Sequence, residues 1–431
     1  MSNSIITKLK SLVGDVHVID NPAEMSNFLK GNGKPLAVVF PGNTAEVSGI
    51  MKFANEVDLK VSVAGALVDT EALDGGIALV MSRMNKVLEI DHENLVVVVE
   101  PGLLHKDLMA KVSEAGLNFP PEPYDVNTGS IGGCFAIGDS DSKSYQYGPT
   151  RTYLLGFEMV LPTGEILNIG NKCIKNVSGY DFIHFAVGSK GVFGIFTKLL
   201  VKLLPPAAAK KAVVANFESI HQAAGTFATF LKRNIHPTRL NLLSAPIAKE
   251  ISDSQGHLAL VDLEGFVESS KNMANEIAAV FTLAGGTNVK IIDDAQEYEN
   301  LWKGWLALRA KLNNSEVLDF SVGPMKMPQA LKSLEGVIGD LGSFSGILVE
   351  GLVGGVRLVL PNLTERDLEV LATKVNNVAM SFGGGVNGLL GHQLRCQSAN
   401  DSDMWEETTG LLAEIRRQFD PKGVLNPGVK L

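Results

Sequence analysis

Two rhythms of apolar residues alternate along this chain. Between Thr44 and Val57, the residues Val47, Ile50, Met51, Ala54 and Val57 fall at helical spacing behind Thr44, which suits an N-cap, and Leu36–Phe40 before them reads as a strand. Lys60–Ala64, Ile77–Ser82 and Leu95–Glu100 are short, apolar or β-branched, and bounded by Gly, Asp or Pro, which predicts three more strands. Leu104, Leu108, Met109 and Val112 predict a second amphipathic helix that Gly116 closes. Gly156–Leu161 and Glu165–Ile169 flank Pro162-Thr163-Gly164, whose Pro and Gly suit a hairpin turn. A strand over Phe196–Leu204 ends at Pro205-Pro206, and the small and basic run Ala207–Lys211 reads as a linker.

Beyond that linker the rhythms alternate again, through Ile220–Leu231, His257–Glu268, Met273–Phe281, Leu331–Ile338, Gly346–Leu360 and Glu365–Val378. A sheet backed by helices follows from this, so the fold class is α+β in two domains. A last helix over Thr408–Phe419 precedes a turn-rich tail. The expected domains are residues 1–206, residues 207–407, and a C-terminal helix and tail, residues 408–431, packing back on the first.

The 431 residues, 45% apolar and 20% charged, are ordinary globular material long enough for two or three cores. A formal net charge of -9 offers no general attraction for phosphate backbones, which argues against a nucleic-acid partner. No segment reads as a signal peptide or transmembrane helix, so the expectation is a cytoplasmic protein. The cysteines, Cys134, Cys173 and Cys396, are too far apart for a CxxC motif and read as reduced thiols.

Candidate chemistry begins with glycine. Ser130-Ile131-Gly132-Gly133 lies between predicted elements, where missing Cβ atoms would let main-chain N–H groups approach a large planar or anionic ligand. Gly179-Tyr180-Asp181, Val187-Gly188-Ser189, Gly191 and Gly194-Ile195 repeat that spacing and run into a strand ending Leu203-Leu204-Pro205. Together these segments resemble the flavin loops of FAD-linked oxidases. Pro101-Gly102 and the tail Asp420-Pro421-Lys422-Gly423-Val424-Leu425-Asn426-Pro427-Gly428 match the same family in register, and four ordered matches are far more specific than one.

The resemblance implies a PCMH-type FAD-binding domain of two subdomains followed by an α+β substrate or cap domain. It implies FAD held by Gly65, Pro101, Gly102, Ser130, Ile131, Gly132, Gly133, Gly179, Tyr180, Asp181, Gly188, Ser189, Gly191, Gly194, Ile195 and Asn426. The implied reaction takes a hydride from the Cα of a small 2-hydroxy acid such as glycolate or D-lactate. The sequence departs from the family at the pyrophosphate loop, which reads Val63-Ala64-Gly65-Ala66-Leu67-Val68-Asp69-Thr70 and keeps only Gly65 of the glycine run. Asp69 there would repel a diphosphate. No histidine or cysteine occupies that loop, so the flavin is expected to be noncovalent.

The family's histidine-rich metal motif looks replaced by Glu350-Gly351-Leu352-Val353-Gly354-Gly355-Val356-Arg357, and its Glu-His pair by Gly383–Leu390, so no catalytic metal is expected. These losses make the chain look similar to the smaller FAD-binding subunit of glycolate oxidase complexes, which implies iron–sulfur and second flavoprotein partners and an attachment to the inner membrane through them. Arg309, in a Trp-containing helix resembling one whose arginine faces the substrate carboxylate, is the first catalytic candidate, followed by Arg357, Arg395 and the nearby His392. The alternative is a catalytically silent scaffold of the same fold.

Overall fold

A computed structural model of the chain describes all residues except 1, 31–32, 66–69, 72, 123–127, 139–142, 176–178, 253–255, 314, 340–345, 361–362, 390–401 and 430–431. The fold divides into two compact units. Met1–Asp139, Pro149–Pro206 and Asp403–Leu431 form the first, Ser140–Gly148 and Ala207–Ser402 the second. The short segment Ser140–Gly148 therefore belongs to the second unit, although the sequence reading put it in the first domain, and the returning tail starts at Asp403 rather than at residue 408.

In the first unit, helix α1 (Ser2–Val13) is followed by β1 (Val18–Ile19), β2 (Ala37–Val39), α2 (Thr44–Val57), β3 (Val61–Ala64) and β4 (Ile77–Val80). The strands form one sheet in the order β1-β2-β4-β3, with β2, β4 and β3 parallel. The α2 cap is Asn43, whose side chain accepts from the Glu46 N–H, so Thr44 is the first helical residue rather than the cap. Val47, Ile50, Met51 and Ala54 bury the predicted face of α2 against Leu9, Val39, Val61 and Leu79.

A second sheet of this unit is antiparallel throughout. Its strands are β5 (Val87–Asp91), β6 (Val96–Val99), β7 (Leu154–Val160), β8 (Ile166–Gly170) and β9 (Ile195–Lys202), in the order β8-β7-β9-β6-β5. Between β6 and β7 lie α3 (His105–Glu114) and the short helix α4 (Ile131–Ile137). The β7–β8 hairpin turns through Gly164 at φ +85°, a conformation that glycine adopts without a Cβ penalty.

In the second unit, β10 (Ala209–Phe217), β11 (Arg239–Leu243), β12 (His257–Gly265), α5 (Val267–Leu283), β13 (Thr287–Ile292), α6 (Ala295–Asn313), β14 (Glu316–Ser321), α7 (Met327–Gly339), β15 (Gly346–Glu350), β16 (Gly355–Leu360), α8 (Glu365–Ser381) and β17 (Gly385–Leu389) follow one another. All the strands join one antiparallel eight-stranded sheet, in the order β13-β10-β12-β11-β15-β16-β14-β17. Lys210 and Lys211 lie inside β10, which shortens the expected linker, because a paired β10 satisfies their main-chain groups in the ladder. One face of this sheet packs against α5, α7 and α8, and the other against α6 through Trp302, Trp305, Leu308 and Leu312. The final helix α9 (Ser402–Phe419) leads into the tail.

Candidate functional site

The tail is fastened to the first unit by hydrogen bonds that its sequence makes unavoidable. Asp420 is buried, and its carboxylate accepts from the Val424 and Leu425 N–H groups at 2.9 and 2.8 Å, folding the Pro421-Lys422-Gly423 turn back on itself. Leu425 then pairs in parallel with Val61, so the tail extends the β3 edge. Arg416, one turn before the end of α9, donates to the carbonyls of Leu425, Asn426 and Val429. Burial pushes its guanidinium below the usual range, against the pull of Asp420.

Asn426 closes this construction. Its main chain is left-handed at φ +46°, a region asparagine tolerates better than most residues. Its side-chain oxygen accepts from the Val63 N–H at 2.9 Å, while its amide nitrogen donates to the Lys190 and Gly191 carbonyls at 3.3 and 3.0 Å. One buried side chain thus ties the end of β3, the glycine loop before β9 and the tail together.

Behind that clamp is a cavity of about 80 Å³ in the first unit. Gly65, Gly132, Gly133, Gly191 and Gly194 line it, with Val63, Ala64, Met81, Pro101, Ala136, Ile195, Phe196, Lys190 and Asn426. The glycines are packed against protein as closely as main chain permits. A Cβ at Gly65 would fall 1.9 Å from Ser130 Oγ, and one at Gly132 would fall 2.6 Å from Pro101 Cβ. Gly191 combines φ +70° with a Cβ position 2.9 Å from Asn426 Nδ2, so both conformation and space exclude a side chain. A wall of glycine and small aliphatic residues beside one lysine fits a flat heteroaromatic ring that carries phosphates, and these residues would hold FAD. Asp69, and with it the departure in the pyrophosphate loop, lies outside the described residues.

The sequence-predicted residues separate into three groups. Gly65, Pro101, Gly132, Gly133, Gly191, Gly194, Ile195 and Asn426 line the cavity itself. Others build its supports. Ser130 caps α4 by accepting from the Gly133 N–H, Ile131 donates to the Leu103 carbonyl, and Gly102, where a Cβ would sit 2.0 Å from the Met81 carbonyl oxygen, donates to Met84. Gly188 donates to the Phe135 carbonyl, and Ser189 keeps a buried hydroxyl with no hydrogen-bond partner.

A third group stands away from the cavity lining. Tyr180 is fully exposed, Gly179 has no neighbour within 4 Å of a Cβ position, and Asp181 caps the short helix Phe182–Ala186 by accepting from the His184 N–H. That hydrogen bond, aided by the His184 ring, holds the Asp181 carboxyl below its usual range. The flavin-loop resemblance of these three residues thus corresponds to a surface turn and a helix cap.

The catalytic candidates belong to the second unit. Arg309 is 1% exposed, on the sheet-facing side of α6. Arg357 gives Nε and Nη2 to the two carboxylate oxygens of Asp319, each at 2.6 Å, a bidentate pair across β14 and β16. Its guanidinium is therefore committed to a neighbouring strand. His392 and Arg395 lie outside the described residues. Among the described residues there is no group of three or more His, Cys, Asp or Glu side chains arranged to hold a metal ion.

Lys190, the lysine within the glycine segment, also lines the cavity and is a non-glycine at φ +53°, whereas sequence reasoning missed the pair Asp420 and Arg416 that fixes the tail. It also missed a buried charged cluster in the second unit. Asp262, fully buried on β12, accepts from Arg239 Nε at 3.1 Å and Tyr298 Oη at 2.6 Å, and Arg239 stacks 4.4 Å over Trp302. Burial pushes the Asp262 carboxyl above its usual range although Arg239 opposes this. Two residues on, Glu264 meets Lys143 at 3.3 Å and Tyr147 at 2.8 Å, which holds Ser140–Gly148 to this unit. No motif announces such a cluster, because its partners meet only through strand register and an inserted segment.

Comparison with known proteins adds the family. The FAD binding domain matches residues 35–170, and the C-terminal domain of FAD linked oxidases matches residues 206–429, more than half of the chain. The glycolate oxidase subunit GlcD of Bacillus subtilis is 28% identical over 418 residues, covering 91% of this chain and 88% of its own. The D-lactate dehydrogenase of Archaeoglobus fulgidus is 29% identical over 414 residues, covering 91% and 90%. The crystal structure of p-cresol methylhydroxylase with substrate bound shares the fold, with a TM-score of 0.74 at 17% identity over 98% of this chain and 95% of that one. With both of its domains matched and FAD as its cofactor, the chain belongs to the FAD-linked oxidases, a family of FAD-dependent oxidoreductases.

Proposed function

We propose that this protein oxidises a small 2-hydroxy acid, such as glycolate or D-lactate, to the 2-oxo acid and passes the electrons through its flavin to a partner. What carries the reading is that relatives named for those two substrates match 91% of the chain, through both units rather than the flavin unit alone. Bound FAD supplies the redox capacity, taking up the hydride equivalent. The chain's own part is to hold and orient. The glycine wall and Asn426 seat the cofactor, Lys190 offsets phosphate charge, and Arg309 binds the substrate carboxylate, a task suited to a planar guanidinium. The flavin is held noncovalently in this reading, because the loop over residues 63–70 has no histidine or cysteine in its sequence to form a covalent link.

The same reading makes the chain one subunit of a complex with an iron–sulfur protein and a second flavoprotein, cytoplasmic or peripheral to the inner membrane through them. No helix among the described residues is long and apolar enough to cross a membrane. A second reading, a scaffold that retains FAD without turnover, is favoured by one observation: Arg357, at the end of the segment that replaces the metal motif, is locked to Asp319. The absorption spectrum under anaerobic conditions separates the two. Flavin bands that bleach with glycolate or D-lactate establish the dehydrogenase, and bands that persist favour the scaffold.

A further inference from the structure

Helix α6 covers a sheet face on which one fully buried polar side chain has no hydrogen-bond partner. On β11, Arg239, Asn241 and Leu243 point to the same side, because strand residues alternate. Arg239 lies against Trp302 of α6, and Leu243 packs in the cluster that holds Trp302, Trp305 and Leu308, so Asn241 between them also faces α6. Asn241 is 0% exposed, yet neither its amide nitrogen nor its oxygen makes a hydrogen bond. The indole N–H groups of Trp302 and Trp305 on the same helix are likewise buried and unpartnered. A buried amide left open at both ends is costly, and native interiors retain one chiefly where a water or ligand completes it.

Strand register shows what stands beside it. Asn241 pairs with Glu350 on β15, Glu350 with Gly355 on β16, and Gly355 with Ser321 on β14, one row across the sheet on the α6 side. Glu350, Gly355 and Ser321 are partly exposed, and the Glu350 carboxylate leans to 3.1 Å from where a Gly355 Cβ would be. The row therefore runs from solvent inward to the amide. Of the charges beside it, Arg239 is paired with Asp262 and Arg357 with Asp319, while the row itself holds the Glu350 carboxylate at its more exposed end.

We infer that Asn241 reads the oxygen substituents of a small hydroxy acid, its amide nitrogen donating to one oxygen and its amide oxygen accepting from the hydroxyl, with Trp305 as neighbouring donor. This rests on the 2-hydroxy-acid reading above and assigns a specificity-determining residue to it. A site built to pair a hydroxyl discriminates strongly against an analogue that lacks one.

Two of the three tryptophans flank the row, so tryptophan fluorescence of the FAD-loaded protein reports binding without turnover. Wild type and Asn241→Leu would be titrated with D-lactate, glycolate and propionate, with anaerobic flavin bleaching and thermal melting of the ligand-free protein recorded in parallel. The expected result is that Asn241→Leu keeps its flavin spectrum, melts at or above wild type, and binds D-lactate or glycolate at least about 10-fold more weakly, while propionate binds neither protein well. Unchanged affinity in Asn241→Leu overturns the inference, and a lowered melting temperature with unchanged affinity identifies a structural water instead. Wild type that bleaches while Asn241→Leu binds normally sinks this assignment and leaves the dehydrogenase standing. Quenching that Asn241→Leu abolishes, without bleaching in either protein, supports the site and sinks the dehydrogenase. Wild type that neither quenches nor bleaches overturns both.

Discussion

The two units build polar interiors from different materials. Around the cavity of the first unit, the wall is main chain at five glycines, and one asparagine supplies the side-chain hydrogen bonds that close it. Under α6 in the second unit, main-chain groups are consumed by the eight-stranded ladder, so polarity comes from the side chains of Arg239, Asn241, Asp262 and Arg357. A wall of main chain is damaged by adding atoms, whereas a cluster of side chains is damaged by removing them. The first unit should therefore fail by releasing its cofactor, and the second by losing its fold.

The largest effect expected from that contrast is at Asp262. Asp262→Ala leaves the Arg239 guanidinium, 3% exposed, without its carboxylate, and stranding one partner of a buried pair costs about 3–5 kcal/mol. Urea denaturation would read this as a large drop in midpoint, while Tyr298→Phe, which removes one hydrogen bond to the same carboxylate, should cost about 1 kcal/mol. A loss below 1 kcal/mol for Asp262→Ala would mean the cluster is well solvated, and the contrast between the units would collapse.

The counterpart in the first unit is Asn426→Ala. It removes three hydrogen bonds that join β3, the glycine loop and the tail, about 2–3 kcal/mol in all, and asks alanine to hold φ +46°. Gel filtration followed by flavin absorbance should show FAD lost from the variant, with the eight-stranded unit still folded by circular dichroism. Gly191→Ala tests the wall itself at φ +70° and should weaken flavin retention by a smaller margin, about 1–2 kcal/mol of strain. If both variants keep stoichiometric flavin after gel filtration, the cavity is not the cofactor site.

The same contrast explains what could be read from sequence. A site made of main chain advertises itself, because only glycine satisfies its positions, and Gly65, Gly132, Gly133, Gly191 and Gly194 were legible as spaced glycines. The limit appears at Gly179, Tyr180 and Asp181, where the same signal marks an exposed turn and a helix cap. Helices with a clean apolar stripe, such as α2, were legible to within a residue, whereas Ile220–Leu231, one segment in the sequence pattern, folds as two short helices, Ile220–Ala224 and Phe227–Lys232, broken at Gly225-Thr226. Asn241 carried no local signal. Its position depends on register with Glu350, more than a hundred residues away, and register is a property of the folded sheet.

The smallest effect expected is also the one that depends on pH. Glu264, with a side chain 3% exposed, is pushed up by burial, but Lys143, Lys210 and Tyr147 outweigh this and hold its carboxyl below the usual range. A carboxyl depressed on folding contributes stability that is present above its unfolded value, about 4.3, and is lost as pH falls through the lower folded value. Asp262, raised by burial, acts in the opposite sense, its contribution being present at low pH and lost as pH rises through its folded value. Glu264→Gln should therefore destabilise by about 1 kcal/mol near pH 6, and the gap between variant and wild type should close as urea midpoints are followed down towards pH 3. A gap independent of pH would show that shape rather than charge anchors Ser140–Gly148 at this carboxylate. In the first unit, the hydrogen bonds that Asn426→Ala removes join an amide to main-chain groups, so the flavin deficit of that variant relative to wild type should not change over the same range.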